Sequence, residues 1–189
     1  MTMTLTTVLF VGGESRRMGA DKATLIFAGT PLWSRQLDTL RQMRPDKMLI
    51  SARFRPAWTP ADTEAVLDEP PSQGPLSGLS ASLRHSRTTH LLALAIDLPK
   101  MTTGHLTELW RLARPDIGVI PQCGSYCEPL TAIYPVSAAS MAESALASGR
   151  LSLQSLIEHM LEQNIACIYS VRDADRPLYR NVNSQDDLE

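Results

Sequence analysis

The sequence predicts a single-domain α/β protein with a mainly parallel, twisted sheet and helices on both faces. Segments rich in β-forming residues alternate with segments of helical periodicity along the 189 residues, an order typical of parallel strands joined by helices. The stretch from Leu91 to Ile96 is wholly apolar, as expected for a central strand that is buried on both faces. Hydrophobic residues make up 43% of the chain, which is enough for an ordinary core and argues against disorder.

Short apolar and β-branched runs predict the strands. The first of these runs ends at a pair of glycines, and the fourth is the apolar stretch expected at the centre of the sheet. The predicted strands cover residues 6–11, 47–52, 65–67, 90–96, 117–120, 130–134 and 165–171.

Apolar residues at helical spacing, together with signals at the helix ends, predict the helices. The first helix has Thr30 as its cap and Pro31 at its first position, and the second opens at Gly74-Pro75. The remaining helices are predicted over residues 103–114, 138–147 and 152–163, with Gly149 and Asn164 closing the last two.

Charge, hydropathy and cysteine content restrict the class of protein. The formal net charge is −2 with both signs mixed along the chain, which argues against a non-specific nucleic-acid surface. No signal peptide is evident and no apolar run approaches the about 20 residues of a spanning helix, so we expect a cytoplasmic protein without a membrane partner. The three cysteines include no Cys-x-x-Cys pair and are expected to be thiols, and a metal site built on Cys123 and Cys127 has little support.

The segment after the first strand carries the clearest chemical signal. Gly12 and Gly13 end an apolar run, and Arg16, Arg17 and Lys22 follow closely. Glycines let backbone N–H groups approach an anion, and the cations supply charge for a polyphosphate. The glycine spacing fits neither a Walker loop nor the dinucleotide-binding fingerprint. We therefore predict a phosphate-binding loop of another kind, with an ordinary basic surface turn as the plainer alternative.

Two carboxylates follow predicted strands, and we expect both at the same edge of the sheet. Asp97 comes directly after Ile96, where a carboxylate needs a cap, a cation or a metal as its partner. The next helix can be capped by Thr102 or Thr103, so Mg²⁺ held by Asp97 and by triphosphate oxygens is the favoured interpretation. Asp68 follows the short third strand and serves either the same site or the turn that begins there.

Five short motifs occur in order along nearly the whole chain. They are the segment 10–22, Gly74-Pro75-Leu76-Ser77-Gly78, Asp97-Leu98-Pro99, Glu128-Pro129-Leu130, and Asn181-Val182-Asn183 ahead of Asp186-Asp187-Leu188. Together they resemble the signature of molybdenum cofactor guanylyltransferases, the MobA-like nucleotidyltransferases. The resemblance implies a Rossmann-like nucleotidyltransferase fold, with a nucleotide-binding part near residues 1–100 and a second-substrate part near residues 101–189. It also implies that GTP and molybdopterin cofactor react to give the guanine dinucleotide cofactor and pyrophosphate.

The resemblance assigns roles to individual residues. Arg17, Lys22 and Asp97 are the expected catalytic residues, with Asp97 as the Mg²⁺ ligand. Because the nucleophile is an anionic phosphate, no general base is required, and catalysis depends on positioning and charge neutralisation. Beyond the two substrates, the implied partners are molybdoenzymes that accept the cofactor, or their chaperones. The implied nucleotide-binding residues are Phe10, Val11, Gly12, Gly13, Lys22, Ser51, Asp68, Gly78 and Asp97, and Asn181 and Asn183 are implied on the pterin side.

Two departures from the family pattern bear on the base pocket. Phe10-Val11 stands where the family usually has Leu-Ala, and Ser51-Ala52-Arg53 stands where it often has an asparagine. A cytidylyltransferase acting on molybdopterin or on a sugar-phosphate-type alcohol is therefore an alternative, although Gly12-Gly13 favours guanine. A non-catalytic molybdopterin-binding paralogue is a second alternative, against which the presence of Lys22 and Asp97 argues.

Overall fold

A mixed sheet of eight strands forms the centre of the computed structural model, which describes residues 2–12, 22–68 and 73–182. In chain order the strands are β1 (Leu5–Phe10), β2 (Ile26–Phe27), β3 (Thr30–Pro31), β4 (Lys47–Ala52), β5 (Glu64–Leu67), β6 (His90–Ala95), β7 (Gly118–Cys123), β8 (Tyr126–Cys127), β9 (Ile133–Pro135) and β10 (Ala166–Ser170). The helices are α1 (Leu32–Arg41), α2 (Pro75–His85), α3 (Thr103–Leu112), α4 (Ala139–Ala147) and α5 (Leu153–Glu162).

The sheet is mainly parallel, which confirms the predicted fold class. Its order is β10-β7-β9-β6-β1-β4-β5. Strand β8 pairs with the carboxyl-terminal end of β7, while β2 and β3 form a separate hairpin. Strand β1 lies parallel to both β4 and β6, β5 extends that parallel set, and β10 lies parallel to β7. Strand β9 runs antiparallel between β6 and β7.

Helices cover both faces of the sheet, as the apolar strands require. Val8 and Leu91 belong to the core layer that contains α2, α4 and α5. Their neighbours in sequence, Leu9 and Leu92, belong to the opposite layer with α1 and α3. Successive strand residues point to opposite faces, so a strand covered on both sides has to be apolar at every position. No helix in the described ranges has the length and apolarity needed to cross a lipid bilayer.

The structure corrects two predicted elements. Thr30 does not cap α1: it pairs with Phe27 in the hairpin, Pro31 is the N-cap, and the helix begins at Leu32. The Leu32 amide donates to the Leu25 carbonyl at 2.9 Å, so a backbone contact replaces the expected side-chain cap. The strand predicted over residues 130–134 is shorter, because a 3-10 helix over Pro129–Thr131 comes before β9.

The remaining strands and helices occur at their predicted places, with small differences at their ends. Thr102 caps α3 by accepting the His105 amide hydrogen, as expected. Gly149 and Asn164 have positive φ values of 71° and 57° just beyond α4 and α5, which is the conformation that closes a helix.

His90 begins β6 at the end of the strand far from the predicted site and is fully buried. Its ring nitrogens lie 2.9 Å from Thr89 Oγ1 and 3.0 Å from the Arg114 carbonyl oxygen, and its ring packs edge-on against Trp110. Burial lowers the pKa of His90 below its ordinary value of 6.5, and the Arg114 carbonyl opposes this shift only in part.

This lowered pKa makes stability depend on pH. The unfolded chain takes up a proton at His90 near pH 6.5, whereas the folded chain resists protonation, so the free energy of unfolding falls as the pH falls below that value. One such group contributes a slope of at most about 1.4 kcal/mol per pH unit. Urea unfolding between about pH 7.5 and about pH 5.5 should show a shallower slope for His90→Gln than for the wild type. Equal slopes would mean that His90 does not contribute to the pH dependence of the free energy of unfolding.

Candidate active site

The carboxyl ends of β1, β4, β5 and β6 lie side by side at one edge of the sheet. Backbone pairing continues past the strand ends. The Val11 amide donates to the Ser51 carbonyl at 3.0 Å, and the Asp68 amide donates to the Ala52 carbonyl at 3.1 Å. Asp97 follows β6 at the same edge. Parallel sheets bind their ligands at this edge, so the fold brings the predicted residues to the expected place.

Gly78, near the start of α2, is surrounded by three other residues that were predicted to bind nucleotide, namely Phe10, Ser51 and Asp68. A Cβ atom built at Gly78 would overlap Ser51 Oγ, and it would lie 3.2 Å from both Asp68 Oδ1 and Phe10 Cε1. Ser51 and Phe10 are buried. Gly78 is itself buried, and its lack of a side chain lets α2 pack directly against the Ser51 hydroxyl, the Asp68 carboxylate and the edge of the Phe10 ring. We call these four residues the Gly78 cluster; its hydroxyl and carboxylate are hydrogen-bond acceptors of the kind that the N–H donors of a base require.

Lys22 and Asp97 form an ion pair between two segments that are distant in sequence. Lys22 lies on a 3-10 helix over Lys22–Thr24, and its Nζ donates to Asp97 Oδ2 at 3.1 Å. The side chains are 19% and 24% exposed, so the pair is shielded but open to solvent on one side. The predicted need of Asp97 for a partner is met by a cation. A lysine held beside a carboxylate at this edge is well placed to contact an anionic ligand.

Residues of α1 hold the turn that carries Asp97. Gln36 is fully buried and donates from Nε2 to the Leu98 carbonyl at 2.6 Å, and Arg35 donates from Nε to the Pro99 carbonyl at 2.6 Å. Neither residue was predicted from the sequence. The available signal was a polar side chain among the apolar residues of α1, but a buried glutamine cannot be told from an exposed one without the packed structure.

The chain near Asn181 reaches the same turn. The Val182 amide donates to the Asp97 carbonyl at 2.9 Å, so the neighbouring Asn181, which is exposed, lies near the Lys22–Asp97 pair. Gly12 is exposed and lies at the end of β1. Gly13, Arg17 and Asn183 lie outside the described residues, and their predicted roles stay predictions.

Glu128 is a further carboxylate in the same region; it belongs to one of the five sequence motifs, but no role was predicted for it. It lies between β8 and the 3-10 helix, is half-buried, and lies close to the Cys123 thiol. Burial raises the pKa of Glu128, with a smaller upward contribution from the charge on Asp97. Burial also raises the pKa of Cys123 to about 11, so this cysteine is a thiol at neutral pH.

Asp97 is the candidate metal ligand that best fits Mg²⁺. In the described ranges, no group of three or more His, Cys, Asp and Glu side chains is arranged to hold a metal ion. Lys22 contacts Oδ2 of Asp97, and the partial exposure of the carboxylate leaves it accessible. Mg²⁺ is often bound by one or two carboxylates together with substrate phosphates, so a lone accessible aspartate fits a metal that arrives with a nucleotide.

Comparisons with known proteins agree with this geometry. The MobA-like NTP transferase domain matches residues 7–167. The chain belongs to the MobA-like NTP transferase family. A protein of Opitutus terrae named "probable molybdenum cofactor guanylyltransferase" is 31% identical over 182 residues, covering 95% of this chain and 90% of the relative. A molybdenum cofactor guanylyltransferase of Pseudomonas fluorescens is also 31% identical, covering 94% and 88%.

A solved structure of the same kind extends the likeness to the fold. The crystal structure of molybdopterin-guanine dinucleotide biosynthesis protein A from Archaeoglobus fulgidus has a TM-score of 0.72 and 26% identity, covering 97% of this chain and 94% of its own. As a MobA-like NTP transferase, the chain is a nucleotidyltransferase. The edge that carries the Gly78 cluster and the Lys22–Asp97 pair is therefore the candidate active site of a nucleotidyl transfer.

Proposed function

We propose that the chain transfers GMP from GTP to the phosphate of molybdopterin cofactor, forming the guanine dinucleotide cofactor and releasing pyrophosphate. The observation that carries this proposal is the Lys22–Asp97 ion pair at the sheet edge that also holds the Gly78 cluster. A nucleoside triphosphate needs hydrogen-bond partners for its base and charge neutralisation for its phosphates, and the two features offer these at one edge of the sheet. Molybdoenzymes that accept the cofactor, or their chaperones, would take the product.

The reaction follows from what these residues can do. A phosphate oxygen of the second substrate attacks the α-phosphorus of GTP, and the bond from that phosphorus to the oxygen bridging to the β-phosphorus breaks, so that pyrophosphate leaves. Lys22 donates to the phosphate oxygens as negative charge moves to the leaving group. Asp97 would hold Mg²⁺, which supplies further charge neutralisation when bound. Because the attacking oxygen is already anionic, positioning replaces general-base catalysis.

The two substrates would approach from opposite sides of the Lys22–Asp97 pair. Phe10, Ser51, Asp68 and Gly78 lie toward β4 and β5, and we place the guanine there. Asn181 lies with the last described segment of the chain, where we place the pterin. The nucleotide-binding part near residues 1–100 and the second-substrate part near residues 101–189 would then face each other across Asp97.

Nucleotide-dependent stabilisation tests the proposal. We expect Mg·GTP to raise the melting temperature of the wild type more than Mg·CTP or Mg·ATP does, because a ligand that binds only the folded chain stabilises it by mass action. Lys22→Ala should remove the response to all three nucleotides, since their shared triphosphate loses its lysine. Lys47→Ala is a matched control, because Lys47 pairs with Glu64 at the opposite end of β4.

The same assay separates the alternatives. Stabilisation by CTP but not by GTP would assign the chain to the cytidylyltransferases instead. If Mg·GTP and molybdopterin together release no pyrophosphate although the chain binds the pterin, it is a non-catalytic binding protein.

A further inference from the structure

Glu128 is a half-buried carboxylate without a cation beside it. Among the described residues, the titratable groups that interact with it are two thiols (Cys123 and Cys127), the Tyr179 hydroxyl and the Asp97 carboxylate, and no cation forms an ion pair with it. A thiol is a weak donor, and Asp97 repels rather than stabilises a second negative charge. A half-buried carboxylate in such surroundings has unused capacity to accept strong hydrogen bonds.

Hydrogen bonds hold the backbone at Glu128 and at both of its neighbours in sequence. The Glu128 amide donates to the Pro121 carbonyl at 2.8 Å, which holds the hairpin of β7 and β8. On either side of it, Gln154 Nε2 donates to the Cys127 carbonyl at 2.8 Å, and the hydroxyl of the fully buried Tyr134 donates to the Pro129 carbonyl at 2.7 Å. A side chain on a backbone held this firmly loses less conformational freedom when a ligand binds, which favours a specific contact.

The position of Glu128 selects the substrate it would meet. Glu128 comes from the β7–β8 side of the sheet and its charge interacts with that of Asp97, whereas the Gly78 cluster is on the β4–β5 side. Under the proposed function, on which this inference rests, that is the side of the pterin. The pyrimidine ring of a pterin presents two adjacent donors, the ring N3–H and the 2-amino group, and two parallel donors match the two oxygens of a carboxylate.

We propose that Glu128 is a specificity residue for the second substrate and accepts hydrogen bonds from the 2-amino-4-oxo edge of its pterin. The contact discriminates against pteridines that carry a carbonyl in place of the 2-amino group, because that carbonyl would face the carboxylate with two acceptors together.

Pterin and lumazine, which differ at this edge, are the probes. Binding of each is measured by fluorescence anisotropy with saturating Mg·GTP, because GTP occupies the proposed guanine site where pterin would otherwise compete. We expect the wild type to bind pterin about tenfold more tightly than lumazine, or more, and Glu128→Gln to lose most of this preference. Glu143→Gln is the matched control, since Glu143 lies on α4 with an exposed side chain 3.6 Å from Arg84, and it should keep the preference.

Three outcomes of the binding experiment would overturn the role of Glu128. They are equal affinity of the wild type for the two pteridines, no pterin binding in the presence of GTP, and a preference that persists in Glu128→Gln. In the transfer assay, Glu128→Gln should raise KM for molybdopterin and leave kcat within a few-fold. A lower kcat with a higher Mg²⁺ requirement would make Glu128 a metal ligand and also reject the proposal. GTP stabilisation and pyrophosphate release by the wild type report separately on the proposed function.

Discussion

Replacing Asp97 by asparagine is expected to lower kcat/KM for nucleotidyl transfer by about a thousandfold, equivalent to about 4 kcal/mol. Asparagine keeps the shape of the side chain but loses the charge that would hold Mg²⁺ and that now pairs with Lys22 at 3.1 Å. The turn itself should persist, because its carbonyls accept from Gln36, Arg35 and the Val182 amide whatever the side chain at position 97. The defect should therefore lie in catalysis, as measured by steady-state pyrophosphate release.

The binding of GTP without Mg²⁺ gives this prediction a second readout. Lys22 no longer shares its charge with Asp97 in Asp97→Asn, so metal-free GTP should bind at least as tightly as it does to the wild type. Asp38→Asn is the matched control, because Asp38 is an exposed carboxylate on α1 whose partner Arg41 keeps its contacts with Asp62. Transfer by Asp97→Asn within a few-fold of the wild-type rate would contradict a catalytic role for this carboxylate.

The parallel part of the fold could be predicted because burial on both faces leaves a strong mark on the sequence. Strand β6 is covered by helices on each side, so every position from Leu91 to Leu94 had to be apolar. Strand β4 has the same environment and was predicted with its observed bounds, Lys47–Ala52. The order of strands and helices then determined the fold class, since short crossovers join parallel neighbours.

The elements that were missed depend on distant pairing. Strand β9 is only three residues long (Ile133–Pro135), and Ile133 pairs with both Leu92 and Val119, which are far away in sequence. Local periodicity carries no information about such partners or about strand direction.

The β2–β3 hairpin was missed for a local reason. It turns at Ala28 and Gly29, which both have positive φ, and alanine is not a residue from which such a turn is expected.

The candidate site was predictable where a residue follows a strong strand. Asp97 could be placed at the sheet edge from its position alone, and the loop cations suggested that Lys22 would lie near it. Gln36 and Glu128 were missed for a different reason. Their importance depends on tertiary packing. Gln36 is buried against the Leu98 carbonyl that it hydrogen-bonds, and Glu128 is half-buried near the Asp97 carboxylate. Neither environment is visible in a short stretch of sequence.

Replacing Gly78 by valine is expected to weaken GTP binding by about a hundredfold or more, equivalent to about 2.7 kcal/mol. A Cβ atom alone would overlap Ser51 Oγ and press on Asp68 and Phe10 at 3.2 Å, and valine adds two more carbons, so the side chains that we propose to hold the base have to move. Overpacking in a tight site costs about 1 to 3 kcal/mol, which the better helix propensity of valine offsets by only a few tenths. Titration calorimetry with Mg·GTP measures the effect, and thermal unfolding shows whether the variant is folded.

Alanine variants separate loss of space from loss of stability. Gly78→Ala should bind GTP about tenfold more weakly. Gly104→Ala, also in a helix, should bind GTP normally and gain stability, because its nearest neighbour, Thr102 Oγ1, lies 4.0 Å from the added Cβ. Recovery of binding in Gly78→Ala with Ser51→Ala would attribute the loss to overlap at the Ser51 hydroxyl, whereas additive losses would mean that this hydroxyl itself contacts the nucleotide. Near-normal GTP affinity in Gly78→Val would instead place the base elsewhere on the sheet edge.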